Sequence, residues 1–442
     1  MIAEEIKSKE LLERRKNVVA DGVGVFNTAT VKSAKGSIII DNDGRELIDF
    51  AAGIGVVNAG HCPDSVVLAI QEQAAKYIHT SFNVVTYEPY IELCEQLTEL
   101  LPHGSQGSKT KAMLVTTGAE AVENAIKIAK QATKRSGVLC FTGAFHGRTL
   151  MAMTLTSKID YKLNCGPFAG EVYRLPFPNF YRYRGSNNYE EFVDLELKRL
   201  EESSYNMVDP NSLAAIIIEP VQGEGGFNVV PKRYLEGLRV HCDRHGIMLI
   251  MDEIQSGFAR TGAWASWQRF EVQPDISTYA KSLGSGMPIA AVVGRAEVMD
   301  AAAPSTIGGT YIGNPVSCAA ALATIKLIKD LNLNDRALHI GEVINERFIK
   351  LQKVCPEIGD VRGMGAMNAI EFVRDNNAGN PDGDLCARIL QGCSENGLIL
   401  ISAGTFKNII RIMSPLVITE EQLNRGLDIM ENEILKATGR SL

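Results

Sequence analysis

Six short apolar runs, separated by helical patterns, constrain the fold more than any other feature of this sequence. Strands that are apolar on both faces are typical of a parallel sheet covered by helices, because a strand with one wet face would alternate apolar and polar residues. We therefore predict an α/β fold with a mainly parallel, doubly wound sheet between helices. The runs are 112–117, 138–142, 213–219, 247–252, 276–280 and 289–294.

Segments outside these runs predict the remaining architecture. Residues 119–134 and 231–245 carry apolar side chains at helical spacing. Residues 36–40 and 46–50 flank an Asp-Gly turn, which indicates a β-hairpin. After residue 332 a long helical stretch to 354 precedes strands at 365–372 and 409–412, which indicates a smaller α+β domain. The predicted division is a hairpin segment that joins the small domain, 1–60, a large domain, 61–330, and a C-terminal small domain, 331–442.

Composition excludes several classes of protein. A net charge of −7 and the lack of a Lys/Arg run argue against nucleic-acid binding. The nine cysteines form no CxxC pair, so we predict neither a disulfide framework nor a metal site, and reduced thiols favour a cytoplasmic location. The charged start of the chain lacks a signal-peptide core and predicts a solvated helix, and no run is long enough to span a membrane.

Two charged residues follow apolar runs where those runs end. Asp252 closes the run 247–252, and Lys281 comes directly after the run 276–280. Ligands of open parallel sheets bind outside the carboxyl ends of the strands, although an Asp there also serves as a helix cap and a Lys as a solvated residue. A Schiff-base lysine and an aspartate facing a pyridinium nitrogen are what pyridoxal 5'-phosphate (PLP) chemistry requires. The pair therefore favours a PLP site.

Two further stretches fit the same cofactor. Run 112–117 leads through Gly118 and Ala119 into a helix, whose first N–H groups suit a phosphate, although an ordinary capped helix has the same pattern. The loop GAFHGRT, 143–149, presents an aromatic ring that can stack on a planar cofactor, a histidine, and an arginine that can bind a carboxylate. Core packing and surface solvation explain these side chains equally well. They are Phe145, His146 and Arg148.

Two charged residues outside this group are open to two interpretations. Glu224 lies in a glycine-rich turn, and Arg411 interrupts an apolar strand. Arg411 suits either the exposed face of a half-buried strand or a second carboxylate receptor. Spacing does not decide between these.

Ten stretches across nearly the whole chain resemble the class III (ω-) aminotransferases of PLP fold type I, most of all the 4-aminobutyrate aminotransferases. The most specific is DEIQSGFARTG, 252–262, with Lys281 downstream. A GxGxxG link between strand and helix, which a nicotinamide-binding protein would need, is absent from the sequence. The stretches are 50–61, 79–97, 116–130, 143–149, 218–227, 246–262, 280–301, 308–322, 358–367 and 409–416.

The resemblance implies roles in cofactor binding. Lys281 forms the Schiff base, Asp252 pairs with the pyridine nitrogen, and Gln255 hydrogen-bonds the ring hydroxyl. The ring lies between two apolar side chains, and backbone N–H groups bind the phosphate together with a threonine of the neighbouring subunit, which implies a homodimer with shared active sites. Dimers that pair into tetramers remain an alternative. These further residues are Ile254 and Phe145 for the ring, with His146 beside it, and Gly118, Ala119 and Thr310 for the phosphate.

The resemblance also implies a substrate class. Arg148 binds the carboxylate of 4-aminobutyrate, Arg411 binds the α-carboxylate of glutamate or 2-oxoglutarate, and Glu224 pairs with Arg411 when the shorter substrate is bound. Ile54 stands near the place where ornithine-type relatives have a tyrosine, and an aliphatic residue suits a donor without an α-carboxylate. The implied reaction is a ping-pong transfer from an amino donor to a 2-oxo acid acceptor.

Two departures and several alternatives accompany this interpretation. Ala119 and Phe145 replace a common serine and tyrosine, and each loses a hydroxyl contact worth roughly 1 kcal/mol. The same chemistry on 5-aminovalerate, β-alanine or ornithine is the nearest alternative. A PLP racemase, epimerase or aminomutase would not need the pair Glu224 and Arg411, and a non-enzymatic ligand-binding protein would not need Lys281.

Overall fold

The structure of the chain, a computed structural model, describes residues 7–104, 108–183 and 188–441. The strands are β1 Ser33–Lys35, β2 Ile38–Ile40, β3 Glu46–Asp49, β4 Thr110–Val115, β5 Gly137–Phe141, β6 Val172–Leu175, β7 Leu213–Ile218, β8 Met248–Asp252, β9 Ile276–Tyr279, β10 Ala290–Arg295, β11 Ile358–Met364, β12 Met367–Phe372, β13 Leu398–Ile399, β14 Ile401–Ala403 and β15 Ile409–Ile412. The helices are α1 Ser8–Val18, α2 Ala52–Gly55, α3 Asp64–Lys76, α4 Glu88–Leu100, α5 Gly118–Thr133, α6 Leu150–Leu155, α7 Tyr189–Asn206, α8 Lys232–His245, α9 Ser266–Phe270, α10 Ala296–Met299, α11 Pro315–Asp330, α12 Leu333–Gln352, α13 Gly383–Glu395 and α14 Glu420–Thr438.

A seven-stranded sheet in the order β4-β10-β9-β8-β7-β5-β6 confirms the predicted α/β fold. The neighbours from β9 to β6 pair in parallel, whereas β10 runs antiparallel to both β9 and β4. The sheet is therefore mixed rather than wholly parallel. Hydropathy does not encode strand direction, since β10 is buried on both faces like its neighbours. The short link from β9 to β10 does encode it, because a parallel return needs a crossover of a dozen or more residues.

Helices on the sheet fix where its strands end. Strands β7 and β8 lie buried in the centre, and α5 packs on β7, β9 and β10. Helix α5 begins directly after β4 because Thr117 and Glu120 form a capping box at its start. Strands β4, β5, β7, β8 and β9 run in the same direction, so their carboxyl ends lie along one edge of the sheet.

Two smaller sheets flank the central one. The predicted hairpin is confirmed, with β2 antiparallel to β3 and Ile40 opposite Glu46. Strand β13 from the C-terminal part of the chain pairs in parallel with β3, so the hairpin and that part share one sheet, β1-β2-β3-β13. The other sheet has the order β11-β12-β15-β14. The domain boundaries at 60 and 330 stay predictions.

Helix α1 and residues 177–183 lie outside the three sheets. Helix α1 has no buried residue, as a solvated helix should, and residues 1–6 lie outside the described part. Residues 177–183 form no helix or strand, and residues 184–187 lie outside the described part. Among the described helices, none has the length and apolar character that a membrane crossing requires.

Candidate active site

A cavity of about 500 Å³ opens at the carboxyl ends of the central strands. Its lining includes the residue after the end of β9, the end of β8, the turn after β7, the loop after β5 and the start of α5. This is the edge at which ligands of open α/β sheets bind. The structure brings to it ten residues that the sequence predicts for the site: Gly118, Ala119, Phe145, His146, Arg148, Glu224, Asp252, Ile254, Gln255 and Lys281.

Asp252 is held rigidly at the end of β8. Its side chain is only 4% exposed, and Oδ2 lies 2.7 Å from Nδ1 of His146. Oδ1 accepts hydrogen bonds from the hydroxyl of Thr278 at 3.2 Å and from the backbone N–H of Ile254 at 3.1 Å. A buried carboxylate with this many donors is a fixed anion that can face a cationic group in the cavity.

Glu219 is a second buried carboxylate in the cavity, and the sequence analysis gave it no role. It follows β7 and accepts backbone hydrogen bonds from Phe145 at 2.9 Å and Gly223 at 3.0 Å. Its pKa is raised to about 7, mainly by burial and also by Asp252, against the lowering effect of His146 and the two backbone donors. Its position after an apolar run is the signal that singled out Asp252, and the same rule finds it.

Lys281 extends into the cavity from the turn after β9. Its backbone φ is +42°, in the left-handed region that a lysine seldom adopts. Burial lowers the pKa of the amine to about 8, against the opposing effect of Glu224, and Arg411 lowers it further. A lysine with a lowered pKa is more often unprotonated near neutral pH, which is the form that attacks a carbonyl.

Gln255 has one amide atom that is satisfied and one that is not. Its Nε2 donates to the carbonyl of Ile54 at 3.2 Å, whereas Oε1 is buried without a partner among the described residues. A Cβ on Gly223 would lie only 2.1 Å from Oε1, so the turn after β7 leaves room for this side chain. An unsatisfied buried oxygen beside a cavity suits a ligand that donates a hydrogen bond.

Ile54, Thr310 and Arg411 are the predicted residues that the cavity lining does not include. Ile54 lines a neighbouring hollow with Val25 and Phe26, and it reaches the site through the carbonyl that Gln255 contacts. Its φ is +67°, a strained value for a β-branched residue. Thr310 is exposed and lies outside the cavity of its own chain.

The start of α5 forms the polar end of the cavity. A Cβ on Gly118 would lie 2.9 Å from Cδ1 of Ile254, and one on Gly147 would lie 2.7 Å from the Cβ of Ala119. These glycines therefore allow the loops to close tightly around the helix start. A helix N-terminus with backbone N–H groups facing a cavity attracts an anion such as phosphate.

Two predicted arginines differ in how they reach the site: Arg148 lines the cavity, whereas Arg411 reaches it through Glu224. Arg411 on β15 is 1% exposed, and its guanidinium lies 2.6 Å from Oε1 of Glu224. Burial alone would raise the pKa of Glu224, but Arg411 and Lys281 outweigh it and lower that pKa. Arg148 is exposed and forms no ion pair with the described residues. Tyr161, which the sequence analysis did not name, lies between them and donates to Oε2 of Glu224 at 3.0 Å.

The chain matches a known protein family over most of its length. The family described as aminotransferase class-III matches residues 18–434. The chain belongs to the class III aminotransferases. It is 44% identical over 427 residues to a probable 4-aminobutyrate aminotransferase of Bacillus subtilis, covering 96% of this chain and 97% of that one. It is 46% identical over 425 residues to the 5-aminovalerate aminotransferase of Pseudomonas putida, with coverage of 96% and 97%.

Solved structures of aminotransferases share this fold. The ornithine aminotransferase from Toxoplasma gondii is 30% identical, with a TM-score of 0.84 and coverage of 98% of this chain and 96% of that chain. The predicted PLP fold type I is thereby confirmed, and the chain is a PLP-dependent ω-aminotransferase. The buried carboxylate of Asp252, the unsatisfied Oε1 of Gln255 and the anion-binding start of α5 fit that cofactor.

Proposed function

We propose that this aminotransferase moves the amino group of 4-aminobutyrate to 2-oxoglutarate in two half-reactions at one site. The observation that carries the proposal is the ion pair of 2.6 Å between Arg411 and Glu224, in a site whose cavity is also lined by Arg148, which forms no ion pair with the described residues. A substrate with one carboxylate needs one free arginine, and a substrate with two needs a second arginine that can be released. The site holds one arginine of each kind.

We assign the cofactor contacts to the residues predicted from the sequence. Asp252, fixed by His146, would hold the ring nitrogen of bound PLP, and Oε1 of Gln255, which has no partner among the described residues, would accept from its ring hydroxyl. When bound, PLP supplies an electron sink for the bond that breaks at the amine-bearing carbon. The remaining contacts are Phe145 and Ile254 on the two ring faces and the N–H groups of Gly118 and Ala119 on the phosphate.

Lys281 serves as both the anchor of the cofactor and the group that moves the proton. Its Nζ lies in the same cavity as the ring site, and its lowered pKa leaves it able to take a proton from the substrate carbon that bears the nitrogen. The turn after β9 holds the amine near Glu224 and Asp252. No other lysine lines the cavity in the described part of the chain.

The substrate contacts follow from the two arginines. Arg148 binds the carboxylate that both substrates have in common, and it forms no competing ion pair with the described residues. The α-carboxylate of 2-oxoglutarate takes the place of Glu224 on Arg411. With 4-aminobutyrate bound, Glu224 stays on Arg411, so that the buried guanidinium is never left without an anion. Ile54 does not line the cavity, and its carbonyl holds the side chain of Gln255, which does.

The working unit that we propose is a homodimer in the cytoplasm. Thr310 is exposed and outside its own cavity, which is expected of a residue that completes the phosphate site of a second copy. Near it the exposed side chains of Tyr311, Ile78 and Val84 give an apolar surface. The nine cysteines, all free, support a reducing compartment.

A second donor, 5-aminovalerate, is favoured by the 46% identity to the aminotransferase of Pseudomonas putida that is named for it. It is one methylene longer than 4-aminobutyrate, and one methylene changes kcat/KM by about 10–200-fold in a fitted pocket. The test is a panel of 4-aminobutyrate, 5-aminovalerate, β-alanine and ornithine, followed by the spectral change of the bound cofactor. We expect 4-aminobutyrate to react fastest. Faster reaction of 5-aminovalerate would reassign the donor, and reaction of ornithine alone would overturn the proposal.

A further inference from the structure

Tyr161 contacts two residues of the proposed substrate site, Glu224 and Arg148. It ends a short 3-10 turn at Ile159–Tyr161, and its hydroxyl donates to Oε2 of Glu224 at 3.0 Å. The guanidinium carbon of Arg148 lies 4.5 Å from the centre of its ring. The ring also meets Phe145 edge to face, with centroids 5.1 Å apart. One side chain therefore contacts the free arginine directly and the paired arginine through Glu224.

We propose that Tyr161 is a specificity-determining positioning residue that holds Glu224 on Arg411 with its hydroxyl and supports Arg148 with its ring. The proposal rests on the proposed function, in which Glu224 leaves Arg411 to admit a substrate with two carboxylates. It assigns to one residue the balance between substrates with one carboxylate and substrates with two.

The hydroxyl of Tyr161 stabilises the arrangement in which Glu224 is paired with Arg411. Glu224 has two oxygens, of which Oε1 accepts from Arg411 and Oε2 accepts from Tyr161. A dicarboxylate that takes Arg411 must also break the bond to Tyr161. A hydrogen bond to a charged group is worth enough to change an equilibrium about tenfold or more. Tyr161 therefore disfavours the release of Glu224 from Arg411 by about that factor.

The hydroxyl remains a donor under working conditions. Burial raises the pKa of Tyr161 to about 12, and the charge of Glu224 raises it as well. A phenol with such a pKa stays protonated across the range in which enzymes are assayed. The contact with Glu224 thus persists at neutral and mildly alkaline pH.

The ring of Tyr161 contacts the other arginine, Arg148. A cation 4.5 Å from the ring centre lies within the distance at which cations and aromatic faces attract each other. Arg148 is exposed and forms no ion pair with the described residues, and its other ring contact, with Phe145, is longer at 5.9 Å, so the ring of Tyr161 is the nearer support of its guanidinium. Replacement by phenylalanine keeps the ring and removes only the hydroxyl, whereas replacement by leucine removes both.

The test uses the unreactive acids glutarate, with two carboxylates, and butyrate, with one. Their dissociation constants for the PLP-loaded enzyme are measured by calorimetry. For Tyr161→Phe we expect glutarate to bind about tenfold more tightly, with butyrate unchanged. For Tyr161→Leu we expect butyrate to bind several-fold more weakly, because Arg148 loses its support. The matched control is Tyr173→Phe, which removes a tyrosine hydroxyl bonded to Glu171 at 2.8 Å and should change neither constant.

Each outcome has a definite meaning. Glutarate binding to Tyr161→Phe that is unchanged or weaker overturns the proposal while wild-type transamination stands. Should the leucine variant not fold, the phenylalanine variant still decides the part of the hydroxyl. Failure of the proposed function looks different, since the wild-type enzyme would then react with neither 4-aminobutyrate nor 5-aminovalerate.

Discussion

The two ends of the cavity are built in different ways. At the cofactor end, Asp252 and Lys281 each stand where a central strand stops, and Glu219 does the same after β7. At the substrate end, Arg411 comes from a smaller sheet and meets Glu224, a residue 187 positions away in the chain. Strand ends thus hold one set of groups in place, and contacts between distant segments hold the other.

This difference matches the demands on each end. The cofactor stays through both half-reactions, so fixed groups on a buried sheet give it a constant environment. In the function that we propose, the substrate end has to accept molecules with one and with two carboxylates in turn. A buried arginine paired with a carboxylate on a glycine-rich turn can change partner without moving the sheet. Variants at the two ends should therefore differ in kind as well as in size.

The largest effect is expected for Lys281→Ala at the cofactor end. Without the amine there is neither a covalent anchor nor a proton carrier, and loss of a general base alone costs about 10²–10⁴-fold in rate. We expect the visible absorption of the lysine-bound cofactor to disappear and turnover to fall by at least that factor. Absorption spectra and single-turnover rates measure this. Lys111→Ala, which removes an exposed lysine paired with Asp300, is the control, and normal turnover in Lys281→Ala would contradict the mechanism.

Asp252→Asn should come next. It removes the negative charge that we propose for the ring nitrogen, and breaking a buried charge pair costs about 3–5 kcal/mol, or about 10²- to 4 × 10³-fold in cofactor affinity. Equilibrium dialysis of PLP measures the loss. The neighbouring Glu253→Gln is the control, because Glu253 instead accepts from Ser266 and Trp267 at the start of α9. It should lower the melting temperature and leave cofactor affinity unchanged, and equal effects of both variants on affinity would refute this division.

The fold was predictable to the extent that burial controls it. Runs apolar on both faces identified six strands of the central sheet, and helical periodicity located α5 and α8. Short or half-exposed strands such as β6, β13 and β14 were not predicted, since few residues carry little periodic signal. The antiparallel direction of β10 was missed for a different reason, because hydropathy is the same in both directions.

The site was predictable at the strand ends and through the family resemblance. Asp252 and Lys281 follow from the rule that ligands bind where parallel strands end. Tyr161 follows no strand, and its contact with Glu224 depends on how two loops pack, which local sequence does not encode. Ile54 was predicted to line the site, yet its place depends on a strained backbone that brings its carbonyl to Gln255.

At the substrate end, Arg411→Lys and Arg148→Lys should separate the two substrates. Lysine keeps the charge but loses the bidentate geometry. We expect Arg411→Lys to lower kcat/KM for 2-oxoglutarate by about 10²-fold and that for 4-aminobutyrate much less. Arg148→Lys should lower both by about tenfold, since both substrates present a carboxylate to it. Half-reactions followed separately measure this, and a uniform loss for both substrates in Arg411→Lys would contradict its assignment.

The smallest effect on turnover is expected for Glu219, which belongs to the cofactor end and carries no assigned contact with a substrate. Burial raises its pKa to about 7 from an ordinary 4.5, so the folded cofactor-free protein holds a proton that the unfolded chain has lost. This contribution to stability is complete below about pH 4.5 and is lost as the pH rises through about 7. In the wild type this decrease amounts to about 2–3 kcal/mol in the free energy of unfolding. In Glu219→Gln the side chain does not titrate, so we expect no such decrease.

Urea unfolding of the cofactor-free protein at several values between pH 5 and pH 8 measures this difference. Only the slope against pH is diagnostic, because glutamine also disturbs the bonds from Phe145 and Gly223. The control is Glu202→Gln, an exposed glutamate beside Lys198, which should keep the wild-type slope. If Glu219→Gln keeps that slope too, Glu219 is ionised in the folded protein. The cavity would then hold two buried anions, Asp252 and Glu219, and the cofactor end would depend on the positive charge of its ligand more than we propose.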